Sequence, residues 1–426
     1  MSLPTRRQVV AGLIGGLGSA LIAGCMPLAH YRTSARVIVI GGGFAGMTCA
    51  RTLNRLSPGT KVTLVEPGPV YHACPLSNLV IAGQREPGRQ TFTYQILQAE
   101  GISHLQQAAV DIDPVRRRIS LTDGSIIDYD RLVIAPGISF NFDALPGYSK
   151  QAALRMPHAW QAGDQTLRLA SQLKAMPNGG TFVMAIPANP YRCPPGPYER
   201  ASLVAHYLRT HKSRSKVLLL DGKDNFSKQS LFQAAWAEHY GELIEWQGLS
   251  DGARVVSVDA DTNTLYTDFD RVQADVANVI PPQRAGKIAH IAGVADNSGW
   301  CPVTAETFAS TRVPDTHVIG DAAIANAMPK SAFAANVQGK LCAAQLARLL
   351  DGQPPISTRL INTCYSLVTP EEGISVAGVY RPSGDRWIEL PGAGGTSPPD
   401  AGSDFRRLEA AYAYDWFDTI TREVWG

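Results

Sequence analysis

An α/β protein with two Rossmann-like nucleotide-binding-type domains and a smaller C-terminal α+β domain is what the sequence predicts. Three observations carry that expectation. A glycine-rich turn separates a buried apolar run from an amphipathic segment at 35–55. A second strand, loop, helix, strand order opens near residue 180. From about Ile361 onward, strand-like runs give way to one long amphipathic segment. We assign residues 1–34 to an export signal and linker, 35–150 with 285–355 to the first domain, 151–284 to the second, and 356–426 to the third.

The 426 residues are 45% hydrophobic and 18% charged, which supports large cores and argues against disorder or a coiled coil. Lys plus Arg 39 against Asp plus Glu 37 leaves a net charge of only +2, so the concentrated positive surface that nucleic acid needs is not supplied. Seven cysteines are too few for a disulfide scaffold but enough for individual chemical roles. The nine histidines show neither H-E-x-x-H nor a Cys/His cluster, so no metal site is expected.

At the N-terminus, Arg6 and Arg7 precede the uncharged stretch Val9 to Gly24, too short and glycine-rich for a membrane span. That pattern predicts export to the periplasm. The twin arginine resembles the signal for exporting folded proteins, without the usual Phe or Leu two places after the pair. The sequence before Cys25 resembles a lipoprotein cleavage box. Cys25 is therefore either a lipid anchor or discarded with a peptide cut near Ala29 or Ala35.

The first element after the leader is the strand Val37 to Ile40. Gly41, Gly43 and Gly46 then form G-x-G-x-x-G before a helix carrying Met47, Ala50 and Leu53 on one face. The first glycine permits a tight turn, the second admits a pyrophosphate to the backbone, and the third lets helix meet strand. Glu66 ends the next strand, KVTLVE, 20 residues beyond Gly46, where a carboxylate can accept ribose hydroxyls. Spacing alone does not separate FAD from NAD. Short strands and a hairpin turn at Thr122, Asp123 and Gly124 follow. The second domain begins with the strand TFVMAIP, a loop, a helix from Tyr198 to Leu208 and the strand KVLLLD at 216–221. In that loop Ala188 to Pro195 stands where a nicotinamide site would need glycines, so NADH is not the expected donor. Next come DTHVIGDAA at 315–323, an alanine-rich helix near 331–350, strands CYSLVTP and ISVAGVYRP, and a terminal helix from Asp404.

With those motifs in place, the chain resembles the flavoprotein subunit of flavocytochrome c sulfide dehydrogenase, in the glutathione-reductase-like flavin disulfide reductase superfamily, from about Arg36 to Trp425. YDRLVIAPG at 129–137 and THVIGDAA at 316–323 look like its second and third flavin signatures. The resemblance implies FAD as cofactor, with Asp321 near the ribityl or pyrophosphate region, and VYHACPLSN at 70–78 implies a covalent link from Cys74 to the flavin 8-methyl group. It also implies that Cys193 and Cys364, 171 residues apart, form a redox-active disulfide, and that Glu199 handles protons beside it; helix-dipole placement is the blander role for Glu199. Sulfide would open the disulfide, and electrons would pass through FAD to a c-type cytochrome partner, which carries the haem because this chain has no C-x-x-C-H. Sulfide:quinone oxidoreductase is the alternative. The terminal helix mixes Tyr412, Tyr414, Trp416, Phe417 and Trp425 with many charges, which suits packing on its own protein better than membrane contact. Cys49 and Cys342 read as core, and Cys301 has no assigned role.

Overall fold

The run β1 (Arg36–Ile40) is apolar without alternation because both of its faces are covered; Val37 to Ile40 are at most 6% exposed. This and all that follows come from a computed structural model, which describes residues 34–426. Arg6, Arg7 and Cys25 lie outside the described residues. Along the chain the principal elements are α1 (Phe44–Leu56), β2 (Lys61–Val65), β3 (Ser103–Leu105), β4 (Arg131–Ile134), β5 (Thr181–Ile186), α2 (Gly196–His211) and β6 (Lys216–Asp221). They continue with α3 (Gln229–His239), β7 (Ile244–Gln247), β8 (Val276–Val279), β9 (Thr316–Val318) and α4 (Ala332–Leu350). The last are β10 (Leu360–Leu367), β11 (Gly373–Ser383), β12 (Arg386–Glu389) and α5 (Ser403–Trp425).

The first sheet is parallel, in the order β9-β4-β1-β2-β3. The chain reverses its direction of sheet growth at β1, and β4 joins β1 on the side away from β2. The carboxyl ends of β1 and β4 therefore flank the crevice where such sheets bind ligands. Helix α4 packs across α1 so closely that a Cβ on Gly339 would lie 2.5 Å from the Ala45 carbonyl oxygen. Ser331 caps α4 by accepting from the Ala334 amide at 3.0 Å. A second parallel sheet, β7-β6-β5-β8, repeats the βαβ plan, and β10, β11 and β12 form an antiparallel sheet against which α5 packs.

The fold agrees with the expected α/β class, and its differences lie in local detail. Helix α2 starts at Gly196, two residues before the expected Tyr198, because Pro197 presets the first turn. Strand β10 begins at Leu360 rather than near Cys364, since pairing with β11 extends from Leu360 opposite Tyr380. The antiparallel strands Val255–Asp259, Thr264–Thr267 and Arg271–Gln273 had no distinct sequence signal; they are short and only partly apolar.

Candidate functional site

The glycine turn has the geometry that its spacing requires. Gly41 sits at φ +106, and a Cβ there would lie 2.2 Å from the Ala135 carbonyl oxygen. A Cβ on Gly46 would lie 1.9 Å from the Gly41 carbonyl oxygen, and Gly43 is the N-cap of α1. Gly42, which the motif does not specify, is equally constrained, because a Cβ there would fall 2.6 Å from the Tyr94 ring. Its amide donates to Glu66 Oε2 at 2.7 Å, and the Gly68 amide donates to Oε1 at 3.0 Å. Glu66 is thus fixed by two backbone donors, and each oxygen keeps a lone pair for a ribose hydroxyl.

Above this turn lies a cavity of about 670 Å³ that brings together Gly41, Gly43, Glu66, Cys74, Cys193, Glu199, Asp321 and Cys364. Gly46 alone among the expected site residues lies beneath it, where α1 meets the turn. Two buried polar atoms in this cavity have no protein partner: Asp321 Oδ1 and Tyr94 Oη. A buried acceptor of this kind is costly unless something else satisfies it. With the glycine cradle and the fixed Glu66, these atoms fit a dinucleotide that brings its own hydroxyl donors. Burial pushes the Asp321 carboxyl up, opposed by Arg192 and Lys330.

The loop that replaces a second glycine fingerprint contributes to the same cavity. Tyr191 is buried and donates to the Pro194 carbonyl at 2.9 Å, which turns the Arg192 side chain inward. Arg192 Nη2 lies 3.4 Å from Cys74 Sγ and donates to the Trp160 carbonyl; Nη1 is 4.0 Å from Asp321 Oδ2. The sequence marked Arg192 only as hostile to a phosphate cradle; its role in lining the cavity had no local signal. Asp221, the second-sheet counterpart of Glu66, is fully buried and already bound by three side chains. Its oxygens accept from Tyr198 Oη at 2.6 Å, Trp246 Nε1 at 3.0 Å and Lys223 Nζ at 2.6 Å. This acid is turned to internal structure, unlike Glu66, which lines the cavity.

Cys193 follows Arg192 at φ +57, held by its amide donating to the Lys330 carbonyl at 2.8 Å. Cys364 projects from β10, and its sulfur accepts from Asn362 Nδ2 at 3.3 Å. The resemblance implied a disulfide between them. Both are free cysteines that line the one cavity. Burial, then the neighbouring Cys364 and Glu199, push the Cys193 thiol well up. Glu199, in the first turn of α2, accepts from Asn78 Nδ2 at 2.7 Å and from the Leu367 amide at 2.9 Å. Its carboxyl is raised by burial against the pull of those donors and of Lys228 and Arg200. Cys49, Cys342 and Cys301 are fully buried in the core of the first domain. Cys301, left open by the sequence, does not line the cavity, and burial raises its thiol to about 12.

Comparison with known proteins gives this arrangement a family. Residues 166–281 match the sulfide dehydrogenase [flavocytochrome c] flavoprotein chain, central, family, and 356–425 match the flavocytochrome c sulphide dehydrogenase, flavin-binding, family. Residues 35–174 match pyridine nucleotide-disulphide oxidoreductase. A sulfide dehydrogenase [flavocytochrome c] flavoprotein chain of Chlorobaculum thiosulfatiphilum is 51% identical over 45 residues, 94% of that sequence and 11% of this chain. The mitochondrial sulfide:quinone oxidoreductase of Mus musculus is 24% identical over 367 residues, covering 81% of this chain and 77% of that protein. Among solved structures, the sulfide:quinone oxidoreductase of Aquifex aeolicus has a TM-score of 0.70 at 17% identity, covering 92% of each chain, which shows the shared fold. The chain carries the central and flavin-binding domains of flavocytochrome c sulfide dehydrogenase flavoproteins and is a sulfide-oxidising flavoprotein with an FAD-binding site.

Proposed function

We propose that the protein oxidises sulfide at Cys193 and Cys364, with Cys74 as the covalent attachment point of the flavin, and delivers the electrons to a c-type cytochrome partner. In the oxidised pair, hydrosulfide attacks one sulfur; the S–S bond breaks, a persulfide forms, and the other sulfur leaves as a thiolate. A second hydrosulfide takes the outer sulfur away as a disulfur anion and leaves one thiol and one thiolate. The pair then gives two electrons and one proton onward and recloses. Bound FAD supplies a two-electron acceptor that passes electrons on singly. Glu199, buried beside Cys193 with a raised carboxyl, takes and returns the thiol proton. Gly41, Gly43, Gly46, Glu66 and Asp321 hold the cofactor, and Arg192 holds Cys74 in place.

The observation that carries the acceptor is the match of 166–281 and 356–425 to the flavocytochrome c families. An apolar stripe on α5 supports it: Phe405, Leu408 and Tyr412 are 42 to 48% exposed on one helix face, among exposed Asp404, Arg407 and Asp415. The stripe leads to Trp416, which lines the cavity and stacks on Phe333 with ring centroids 6.1 Å apart. No helix among the described residues is long and apolar enough to cross a membrane. Periplasmic residence through the twin-arginine leader, with or without a lipid on Cys25, belongs to the same proposal. The second reading, a quinone acceptor, is favoured by a specific observation: relatives whose match extends over most of this chain are sulfide:quinone oxidoreductases.

Two experiments test this reading. Purified protein and sulfide are mixed with a c-type cytochrome and, separately, with a short-chain quinone. Cytochrome reduction with little quinone turnover is expected; fast quinone turnover with none of cytochrome establishes the second reading. For the tether, acid precipitation leaves the yellow colour in the pellet, and Cys74→Ser releases it to the supernatant. Full release from the unmodified protein excludes the thioether.

A further inference from the structure

Lys228 immediately precedes α3 in the second domain and takes a left-handed conformation at φ +62. Its side chain crosses to the C-terminal sheet. There the ammonium, on a residue only 7% exposed, donates to the Cys364 carbonyl at 2.9 Å, to Ser366 Oγ at 2.8 Å and to the Ile374 carbonyl at 3.3 Å. All three acceptors are neutral. A buried cation held only by neutral acceptors is costly, because nothing repays the loss of water around its charge. Burial lowers its pKa to about 8. The acidic groups opposing that fall are Cys364 on β10, Glu199 on α2, Cys193 in the loop before α2, and Glu409 on α5. Glu409 already pairs with Arg406 at 3.3 Å and accepts from Ser375 and Ser397. The charge that remains for Lys228 to meet is Glu199 and whatever the two sulfurs carry.

We propose that Lys228 is the fixed counter-charge of the Cys193–Cys364 pair, a positioning residue that stabilises the anion produced when the pair is opened and so sets its redox balance. The inference rests on the reading of these cysteines as a redox pair. Opening a neutral disulfide with hydrosulfide brings one negative charge into a buried site, as a persulfide on one cysteine and a thiolate on the other. The same charge is present when the pair holds one thiol and one thiolate. An ammonium already in place offsets that charge without any rearrangement. It favours the reduced forms over the disulfide, which carries no charge for it to meet. The backbone grip on β10 explains the precision of the placement: Lys228 holds the strand that carries Cys364 by that residue's own carbonyl.

The test measures the pair directly rather than turnover. Holoprotein is equilibrated anaerobically in mixtures of reduced and oxidised dithiothreitol, quenched with an alkylating reagent, and the thiol-to-disulfide ratio of Cys193 and Cys364 is read by peptide mass spectrometry. Lys228→Gln keeps hydrogen-bond donors but removes the charge, and Lys228→Arg keeps the charge. At pH 7 the glutamine variant is expected to need about tenfold more reducing buffer for half-reduction, about 30 mV for a two-electron couple. The arginine variant stays within about threefold of the parent. In the parent, the pH dependence of half-reduction steepens near pH 8, because above it Lys228 must regain a proton as the pair is opened. The glutamine variant lacks that break. An unchanged ratio and an unchanged break in Lys228→Gln overturn the proposal, even if the variant melts at a lower temperature, since that marks a purely structural lysine. A parent that never forms a reversible Cys193–Cys364 disulfide refutes the redox-pair reading itself, and this inference with it.

Discussion

Cys193→Ser and Cys364→Ser are each expected to keep their flavin and lose rapid anaerobic reduction by sulfide, by about three orders of magnitude or more. A hydroxyl nearly preserves the shape of the thiol, so the cavity and its cofactor contacts persist. It cannot enter sulfur exchange, so the chain of bond making and breaking stops at its first step. Because the two sulfurs act as a unit, the double variant should be about as slow as either single one. Flavin absorbance followed in a stopped-flow cell after mixing with sulfide checks this. A parental rate in either variant would show that the pair is not on the path.

The second large effect is at the glycine turn. Gly46→Ala places a Cβ 1.9 Å from the Gly41 carbonyl oxygen, which cannot retreat because Gly41 is held at φ +106 with its amide donating to the Val65 carbonyl at 2.9 Å. Relief requires α1 to shift away from β1, at a cost of about 1 to 3 kcal/mol or more. That displacement widens the turn that receives the diphosphate, so initial FAD capture should weaken by about tenfold to a hundredfold. Gly88→Ala, where a Cβ meets nothing within 4 Å, is the control and should leave capture unchanged. The flavin-to-protein ratio after expression at limiting cofactor measures both; equal ratios would contradict the account of the turn.

Parts of this site were legible in the sequence for a physical reason. Gly41, Gly43, Gly46 and Glu66 belong to one local βαβ unit, so their spacing along the chain encodes their spacing in space. Cys193 and Cys364 belong to different sheets' neighbourhoods and line one cavity only because α2 packs beside β10; their sequence separation carried no such information, and only the family resemblance joined them. Arg192 illustrates a third case. As a residue type it argued against a phosphate cradle, but whether its guanidinium points to solvent or into the cavity depends on how Tyr191 is buried. Lys228 was silent altogether, since a lysine in a polar loop reads as solvated until the C-terminal sheet is placed over it. Gly42 was missed because its constraint comes from Tyr94, 52 residues further on.

The sulfide chemistry of the pair is tested most directly by an anaerobic titration of the holoprotein with sulfide, following flavin absorbance while quenched samples are mapped by peptide mass spectrometry. The account predicts that the flavin bleaches as sulfide is added, and that the added sulfur appears as a persulfide on Cys193 or Cys364 and on no other cysteine. Flavin that stays oxidised in excess sulfide, or that bleaches while both cysteines remain unmodified and joined, would contradict it.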